Sequence, residues 1–314
     1  MTNLALVGDI GGTNSRFGLI DLGHTEVRDV EVYKNDEYQN LETAISHYVD
    51  KRGIKELSAA AVDVAAPVDR ELITLTNRDW TFSAESLRNA SRAKRFRLLN
   101  DFEALAWSLP HIAKSDLVQI GGNANDLPLT KVVLGPGTGL GMATLAPLPK
   151  GGWLPIAGEG GHVTLPIKTA EELALKDKIM GKDQFAEVED VLTGSGLLAL
   201  YRAIAEKPDL QTPEQVMQAG LSGSEASAVK TLDHFMTFLM RLAGDMAMAN
   251  QARGGVYLAG GIAPSLVEKL KAPQYRKVFE EKGRLSDHMK TIPLYVITDP
   301  FPAFKGCAAA LNAA

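Results

Sequence analysis

The chain has 314 residues and a formal net charge of -5, and it carries no block of basic residues. These features exclude the basic footprint of a nucleic-acid-binding protein, so nucleic acid is not an expected partner. The nearest basic cluster, residues 92–97, flanks a predicted strand and is typical of a solvated face. The single cysteine, Cys307, rules out an intramolecular disulfide and a cysteine-rich zinc site.

The N-terminal residues 1–10 contain Asp9 and no basic region, which indicates a strand and not a signal peptide. No apolar run reaches the ~18 residues that suggest a membrane span, so no membrane is expected as a partner. A single thiol fits a reducing compartment, and we expect a cytoplasmic protein. Because one domain usually has ~100–200 residues, we expect two lobes.

In the first half of the chain, predicted strands surround a glycine turn and precede a helix. Residues 4–7 and 16–21 are predicted strands, because the second run is too short and too interrupted by glycine for a helix. Apolar residues at helical spacing predict an amphipathic helix over residues 40–52. Further strands are predicted over residues 27–33, 57–66, 72–75 and 96–99, and a helix is predicted to begin at Phe102.

In the second half, the same pattern of strand, glycine turn and strand recurs. Strands over residues 131–134 and 142–145 flank the glycine-rich run 135–141. A long core helix is predicted over residues 228–252 from its apolar face. Strands over 256–259 and 294–297 and a short helix over 306–312 follow.

This alternation of strands and helices predicts an α/β protein. The two glycine-turn hairpins, one opening each half, suggest a duplicated lobe. Pro110 and the polar run 121–126 mark a boundary between lobes. The predicted lobes are a small one, residues 1–110 plus 300–314, and a large one, residues 111–299.

The first glycine turn, residues 8–14, has the composition of a phosphate site. Glycine lets the backbone approach phosphate oxygens without a Cβ, and successive N–H groups form an anion-binding nest. Because a strand and not a helix follows, the motif is neither a Walker loop nor a dinucleotide fingerprint. Thr13 adds a hydroxyl donor, and Asp9 is a candidate Mg²⁺ ligand that acts through water. For this motif alone, a plain hairpin turn stays open.

Two further glycine motifs strengthen the phosphate interpretation. The turn at residues 135–141 favours it, because two such turns in two lobes can hold one triphosphate from both sides. Gly260-Gly261-Ile262 follows a predicted strand, where an adenosine can lie. Taken alone, that last motif favours a simple strand-to-helix turn.

Polar residues with the chemistry of sugar ligands follow two apolar runs. Asn100-Asp101 closes a strand, where α/β sheets bind ligands, and an aspartate there can accept a proton from an attacking hydroxyl. The alternative is that Asp101 is the N-cap of a helix starting at Phe102, which is the safer interpretation from the sequence alone, and both roles can hold at once. Glu159-Gly160-Gly161-His162 offers acceptors for sugar hydroxyls, with a surface turn as the alternative. Glu189 by itself is typical of any helix-surface glutamate.

Together these motifs resemble the proteobacterial glucokinase family. Four segments carry the resemblance: Gly-Asp-Ile-Gly-Gly-Thr-Asn-Ser-Arg at 8–16, Leu-Asn-Asp-Phe at 99–102, Gly-Pro-Gly-Thr-Gly-Leu-Gly at 135–141, and Gly-Glu-Gly-Gly-His at 158–162. Segments 191–196 and 260–262 support them, and the motifs cover nearly the whole chain. The first motif is shared by many actin-like ATPases, whereas the second and fourth together are much more specific. Ser15 stands where the family pattern has alanine.

The resemblance implies an actin-like (ribonuclease H-like) fold with a nucleotide and sugar cleft between its lobes. It implies a glucokinase, which transfers the γ-phosphoryl of ATP to the 6-hydroxyl of glucose in a homodimer. Asp101 is then the catalytic base. The implied sugar ligands are Asn100, Asp101, Glu159, His162 and Glu189. The implied contacts to Mg·ATP are Gly8, Asp9, Ile10, Gly11, Gly12, Thr13, Gly137, Thr138, Gly139, Gly260 and Gly261, with Asp9 holding Mg²⁺.

Two alternative functions stay open from the sequence. One is a kinase of another hexose, and the other is a non-catalytic sugar-sensing regulator of the same fold. The intact Asp101 and both phosphate turns argue against the regulator. The sequence also lacks the zinc-binding cysteine cluster and N-terminal helix-turn-helix of the related repressor and sugar-kinase family.

Overall fold

The computed structural model describes residues 3–75 and 78–313, and the chain divides into two compact units. The first unit comprises Met1–Lys114, Leu148–Ala157 and Asp299–Ala314. The second unit comprises Ser115–Pro147 and Gly158–Thr298. Each unit contains a mixed β-sheet and helices, which confirms the predicted α/β class.

The strands and helices alternate along the described chain. The strands are β1 Leu4–Ile10, β2 Asn14–Asp21, β3 Arg28–Lys34, β4 Leu57–Val64, β5 Ile73–Thr74, β6 Thr81–Phe82, β7 Ala93–Asn100, β8 Leu117–Gly121, β9 Lys131–Pro136, β10 Leu140–Pro147, β11 Trp153–Gly158, β12 Gly255–Leu258 and β13 Leu294–Ile297. The helices are α1 Leu41–Lys51, α2 Ala84–Ser91, α3 Asp101–Ser108, α4 Ala170–Met180, α5 Gly194–Ile204, α6 Pro213–Ser222, α7 Ala226–Ala249, α8 Val267–Leu270, α9 Pro273–Glu280, α10 Ser286–Thr291 and α11 Pro302–Asn312.

The sheet of the first unit has the order β3-β2-β1-β4-β7. Strands β1, β2 and β3 pair antiparallel, whereas β1, β4 and β7 run parallel. The parallel register places Asp9 beside Asp63 and Val64 beside Asn100. The carboxyl ends of β1, β4 and β7 therefore meet at one edge of the sheet, which is where the predicted acidic residues lie.

Two helices of the first unit show how the sequence determines local structure. Helix α1 begins at a capping box, in which the Asn40 side chain accepts from the Thr43 N–H and Thr43 bonds back to Asn40. Its buried residues are those predicted from helical spacing, so the helix over 40–52 is confirmed. Helix α11 crosses α3 closely, because a Cβ on Gly306 would lie 1.7 Å from the Ala104 carbonyl oxygen.

The sheet of the second unit contains the order β10-β9-β12-β13-β8. Strands β9 and β10 form the predicted antiparallel hairpin around the second glycine turn. Strands β9, β12 and β13 run parallel, and β8 closes the sheet antiparallel to β13. Helix α7 buries Leu232, Phe235 and Leu239, which confirms the predicted core helix.

Several predicted boundaries are wrong by a few residues. The predicted strand over 72–75 is reduced to the two-residue β5, which pairs with β6, and Leu72 is exposed. The helix predicted from Phe102 begins one residue earlier, at Asp101. The last helix begins at Pro302 and not at 306, because proline is favoured in the first helical turn. None of the helices that the structure describes combines the length and apolarity required to span a membrane.

Candidate active site

The first glycine turn joins β1 to β2 in the first unit. The antiparallel register pairs Asp9 with Arg16, and the Arg16 Nη1 donates to Asp9 Oδ2 at 2.8 Å. The Asp9 side chain keeps 24% of its surface exposed, so this carboxylate is accessible at the strand end. The Gly11 N–H donates to the Asn14 carbonyl at 3.0 Å and closes the turn. A strand follows the turn, as predicted.

Asn100 and Asp101 lie at the junction of β7 and α3. The Asn100 side chain caps α3, since its Oδ1 accepts from the N–H groups of Phe102 and Glu103 at 3.0 and 3.2 Å. The expectation that Asp101 is the N-cap is therefore wrong: Asp101 is the first helical residue, because its neighbour takes the cap position. The Asp101 Oδ1 accepts a local bond from the Phe102 N–H at 3.0 Å.

The electrostatics of Asp101 differ from those of an ordinary surface aspartate. Burial raises the pKa of the Asp101 carboxyl from 3.8 to about 6, and the charge of Asp9 adds to the rise. The hydrogen bond from Phe102 opposes this change because it favours the ionised form. A carboxylate with a pKa of about 6 is ionised at neutral pH yet more basic than usual, which suits a general base.

A third carboxyl, Asp63, lies at the same sheet edge and was missed by sequence reasoning. It is fully buried beside Asp9 in register, and the Cys307 Sγ donates to its Oδ2 at 3.4 Å. Burial raises the pKa of Asp63 well above its ordinary value, and the charges of Asp9 and Asp101 add to the effect. Burial likewise raises the pKa of the Cys307 thiol well above its ordinary value, so burial disfavours the charged form of both groups.

The second glycine turn packs against the Gly260-Gly261 segment in the second unit. Gly260 has a φ of +79°, and a Cβ on it would lie 2.6 Å from the Pro136 carbonyl oxygen. The Ile262 N–H donates to that same oxygen at 3.3 Å. The interpretation of this segment as an isolated strand-to-helix turn is thus incomplete, because the close approach of Gly260 to residues 135–136 requires glycine.

Glu189 joins two of the predicted motifs within the second unit. Its Oε2 accepts from the Leu140 N–H at 2.7 Å, and it would lie 2.8 Å from a Cβ on Gly139 and 2.9 Å from one on Gly161. The view of Glu189 as a helix-surface glutamate is wrong, since it lies in a short 3-10 turn, residues 188–190, and faces these glycines.

His162 is surrounded by three glutamates in the second unit. Its Nδ1 lies 2.6 Å from Glu187 Oε2, and this hydrogen bond raises the pKa of His162 above its usual value. The charges of Glu189 and Glu159 raise that pKa further, which shows that the predicted sugar ligands of this unit lie near one another. No sequence motif pointed to Glu187, whose contact with His162 spans 25 positions.

A cavity of about 350 Å³ adjoins this acidic cluster in the second unit. Its polar lining comprises Thr138, Glu187, Glu189, Asp190, Thr193 and Ser195. The N-terminus of α5 is anchored nearby, since the Gly194 N–H donates to the Gly137 carbonyl at 3.0 Å. The second glycine turn and the acidic residues thus border one polar cavity.

The structure therefore gathers the predicted site residues into two sets. In the first unit, Asp9, Asn100 and Asp101 lie at the carboxyl ends of β1 and β7, two strands that both pair in parallel with β4. In the second unit, Glu159, His162 and Glu189 cluster beside the second glycine turn. A glycine-turn hairpin in each α/β unit, with acidic residues beside it, is the arrangement of a sugar kinase of the actin-like ATPase fold.

Comparison with known proteins identifies the family. The glucokinase family model matches residues 6–314. Glucokinase from Marinobacter nauticus is 37% identical over 312 residues, which cover 98% of this chain and 97% of that protein. Glucokinase from Chromobacterium violaceum is 39% identical over 313 residues, covering 98% and 88%. The chain belongs to the glucokinase family.

Solved structures agree with this assignment and confirm the predicted actin-like fold. A glucokinase from an Antarctic psychrotroph superposes with a TM-score of 0.89 at 27% identity, over 100% of both chains. A ROK-family glucokinase from Streptomyces griseus, solved with glucose and AMPPNP, has a TM-score of 0.67 at 17% identity over 99% of both chains. This second likeness supports the fold alone.

Proposed function

We propose that the chain transfers the γ-phosphoryl of ATP to the 6-hydroxyl of glucose, giving glucose 6-phosphate and ADP. The observation that carries the proposal is Asp101, which stands at the carboxyl end of β7 with a pKa of about 6. Asn100 occupies the N-cap position of α3, so Asp101 is not the residue that caps this helix. Membership of the glucokinase family supports the same reaction.

In the proposed reaction, Asp101 accepts the proton of the 6-hydroxyl as that oxygen forms its bond to the γ-phosphorus. The bond between the γ-phosphorus and the bridging oxygen breaks, and ADP leaves with the electron pair. A general base of this kind typically contributes ~10²–10⁴-fold to the rate. The carboxylate is the correct form for the base at any pH above about 6.

We propose that the remaining predicted ligands bind and orient the sugar. Asn100 is rigidly placed, because its Oδ1 caps α3 and its Nδ2 donates to the Ala66 carbonyl at 3.4 Å. In the second unit, Glu159 and His162 are exposed, and Glu189 is partly exposed beside the cavity. Carboxylate and imidazole groups supply both acceptors and donors to sugar hydroxyls.

For the nucleotide, we propose that residues 8–13 and 137–139 bind its phosphates and that Gly260 and Gly261 lie against its adenosine. Mg²⁺ prefers one or two carboxylates, substrate phosphates and several waters over an all-protein cage. The part of the chain that the structure describes holds no cluster of three or more His, Cys, Asp or Glu suited to a metal, and Asp9 offers one accessible carboxylate. This donor set fits a hydrated Mg²⁺, which when bound neutralises phosphate charge.

The organisation of the enzyme is also part of the proposal. We propose that the two units correspond to the lobes predicted at residues 1–110 plus 300–314 and 111–299. The family resemblance favours a homodimer that acts in the cytoplasm, where glucose 6-phosphate formation opens glycolysis. Light scattering of the purified chain tests the dimer, since a monomer's mass would contradict it.

The test is an assay of ADP formation by the purified protein with glucose, with and without Mg²⁺. We expect Asp101→Asn to lower turnover by at least ~100-fold, the lower range for losing a general base. Asp287→Asn, an exposed aspartate with 93% of its side chain accessible, is the matched control and keeps wild-type turnover. Unchanged turnover of Asp101→Asn contradicts the assigned role.

The same assay separates the two alternatives. A panel of mannose, N-acetylglucosamine and glucose identifies a kinase of another hexose by its higher kcat/KM. Calorimetric glucose binding without any ADP release identifies a sugar-sensing regulator. ADP release that depends on glucose supports the proposed reaction.

A further inference from the structure

Asn35, to which no sequence motif pointed, is hydrogen-bonded to three consecutive residues of the first glycine turn, residues 11–13. It is fully buried immediately after β3. Its Nδ2 donates to the carbonyl oxygens of Gly11 at 2.8 Å and Gly12 at 3.1 Å. Its own backbone N–H donates to the Thr13 carbonyl at 2.9 Å. Three successive carbonyl groups of the turn therefore face one side chain and its backbone.

Ser15 completes this arrangement from the opposite strand. It is also fully buried, and its Oγ donates to Asn35 Oδ1 at 2.7 Å. This bond fixes the orientation of the amide, because it places the Asn35 oxygen towards Ser15 and the amide nitrogen towards the glycines. The serine at position 15, a departure from the expected alanine, thus has a defined structural partner.

The geometry of the peptide bond links these contacts to the turn's donors. In a trans peptide, the carbonyl and the N–H of one peptide unit point in opposite directions. The described chain contains no cis peptide bonds. Since the Gly11 and Gly12 carbonyls point at Asn35, the N–H groups of Gly12 and Thr13 point away from it. Consecutive N–H groups on one side form an anion-binding nest.

The glycines do not hold this shape by themselves. Neither Gly11 nor Gly12 has a positive φ, so no glycine-only conformation fixes the turn. Glycine also loses the most backbone entropy when it is ordered, which disfavours a rigid loop. Hydrogen bonds to a fixed side chain order the loop when the protein folds, so ligand binding does not carry this entropic cost. Preorganisation of this kind raises the affinity for the ligand.

We infer that Ser15 and Asn35 form a turn clamp that holds the Gly12 and Thr13 N–H groups ready for the polyphosphate of the nucleotide. Both are positioning residues, since they act through the turn and not on the substrates. The inference rests on the proposed role of residues 8–13 in binding ATP. It assigns the clamp to nucleotide affinity, so glucose affinity stays independent of it.

The test compares clamp variants with matched controls in the full chain. The clamp variants are Asn35→Ala, Ser15→Ala and the double variant. The controls are Asn40→Ala, which removes the cap of α1 in the same unit, and Ser91→Ala, which removes a fully buried hydroxyl bonded to the Arg88 carbonyl. The readouts are the KM for ATP, the KM for glucose, and ADP affinity by calorimetry.

We expect Asn35→Ala to raise the KM for ATP and the Kd for ADP by at least ~10-fold, because the variant loses both side-chain bonds to the turn as well as the bond from Ser15. Ser15→Ala raises both by roughly 3-fold, and the double variant falls short of the product of the two effects, because the residues act as one unit. The KM for glucose stays within about 2-fold in every variant, and both controls keep wild-type nucleotide affinity.

If Asn35→Ala folds and its KM for ATP and Kd for ADP are unchanged, the clamp inference is wrong. Kinase activity of the wild type would still support the proposed function in that case. If Asn35→Ala does not fold, the milder Ser15→Ala decides by the same readouts. If the wild type binds ADP but phosphorylates no sugar, the proposed function fails and ADP affinity still tests the clamp. If the wild type binds neither ATP nor ADP, both fail.

Discussion

We expect the replacement of Asp101 with asparagine to stabilise the folded protein and, at the same time, to lower its kinase activity. The folded state raises the pKa of this carboxyl from 3.8 to about 6, mainly because the group is buried. A raised carboxyl pKa means that the folded state binds the proton more tightly than the unfolded chain. The contribution of this carboxyl to the free energy of unfolding is therefore lost as pH rises from about 3.8 through about 6.

The size of the effect follows from the two pKa values. The difference between 6 and 3.8 is 2.2, and each pKa unit corresponds to about 1.36 kcal/mol. The ionised carboxylate thus costs the folded state about 3 kcal/mol at pH 8, and about half of that at pH 5. The introduced asparagine would keep the oxygen that accepts from the Phe102 N–H but carries no charge, so Asp101→Asn avoids this cost.

Urea unfolding of the wild type and Asp101→Asn at pH 8 and pH 5 measures the effect. Because two compact units need not unfold in one step, midpoints of the first transition are compared. The variant's midpoint is higher at pH 8, and its advantage shrinks at pH 5. Asp287→Asn is the control and shows no such pattern. A variant equal to or weaker than wild type at pH 8, or an advantage that does not shrink, refutes the reasoning.

Three further predictions address catalysis, the sugar ligands and packing. The kcat/KM for glucose rises with pH through about 6, where Asp101 ionises, and then levels off; a flat profile from pH 5 to 7 contradicts the role of Asp101. Glu187→Gln lowers the pKa of His162, because the hydrogen-bonded carboxylate raises it, and an NMR titration of His162 measures the change. Glu268→Gln is the control there, and an unchanged His162 pKa in Glu187→Gln speaks against the pair. Gly306→Ala destabilises the fold by roughly 3 kcal/mol in urea unfolding, since its Cβ would overlap the Ala104 carbonyl. Gly194→Ala is the control and shows no comparable loss, because a Cβ on Gly194 would lie 3.8 Å from its nearest neighbouring atom. Equal unfolding midpoints for the two alanine variants refute the packing argument.

Local patterns in the sequence predicted the elements and some of the site well. Helix α1 follows from apolar spacing, and the β9–β10 hairpin follows from a glycine run between two short apolar segments. The junction after β7 was also visible, because Asn100-Asp101 ends an apolar strand. In each case the signal lies within about one element, so pairing between distant segments is not needed.

Contacts that depend on long-range pairing were not predictable. Asp63 lies in a run of small apolar residues, and only the parallel register with β1 places it beside Asp9. Asn35 binds a turn more than 20 positions earlier, and Glu189 binds Leu140 across 49 positions. The sequence contains these polar residues but not the register that gives them partners, so each resembles an ordinary surface residue until the fold is known.

The burial of Asp63 bears on the electrostatics of Asp101, because both carboxyl groups lie at the same sheet edge. Three carboxyl groups lie at one sheet edge, and like charges at close range raise each other's pKa. An ionised Asp63 would raise the pKa of Asp101 further, because like charges at close range disfavour ionisation. Complete burial opposes the ionisation of Asp63, because it raises the pKa of that carboxyl well above its ordinary value, and the charge of Asp9 helps to raise the Asp101 pKa to about 6. The buried carboxyl and its Cys307 partner therefore help to set the basicity of the site without touching a substrate.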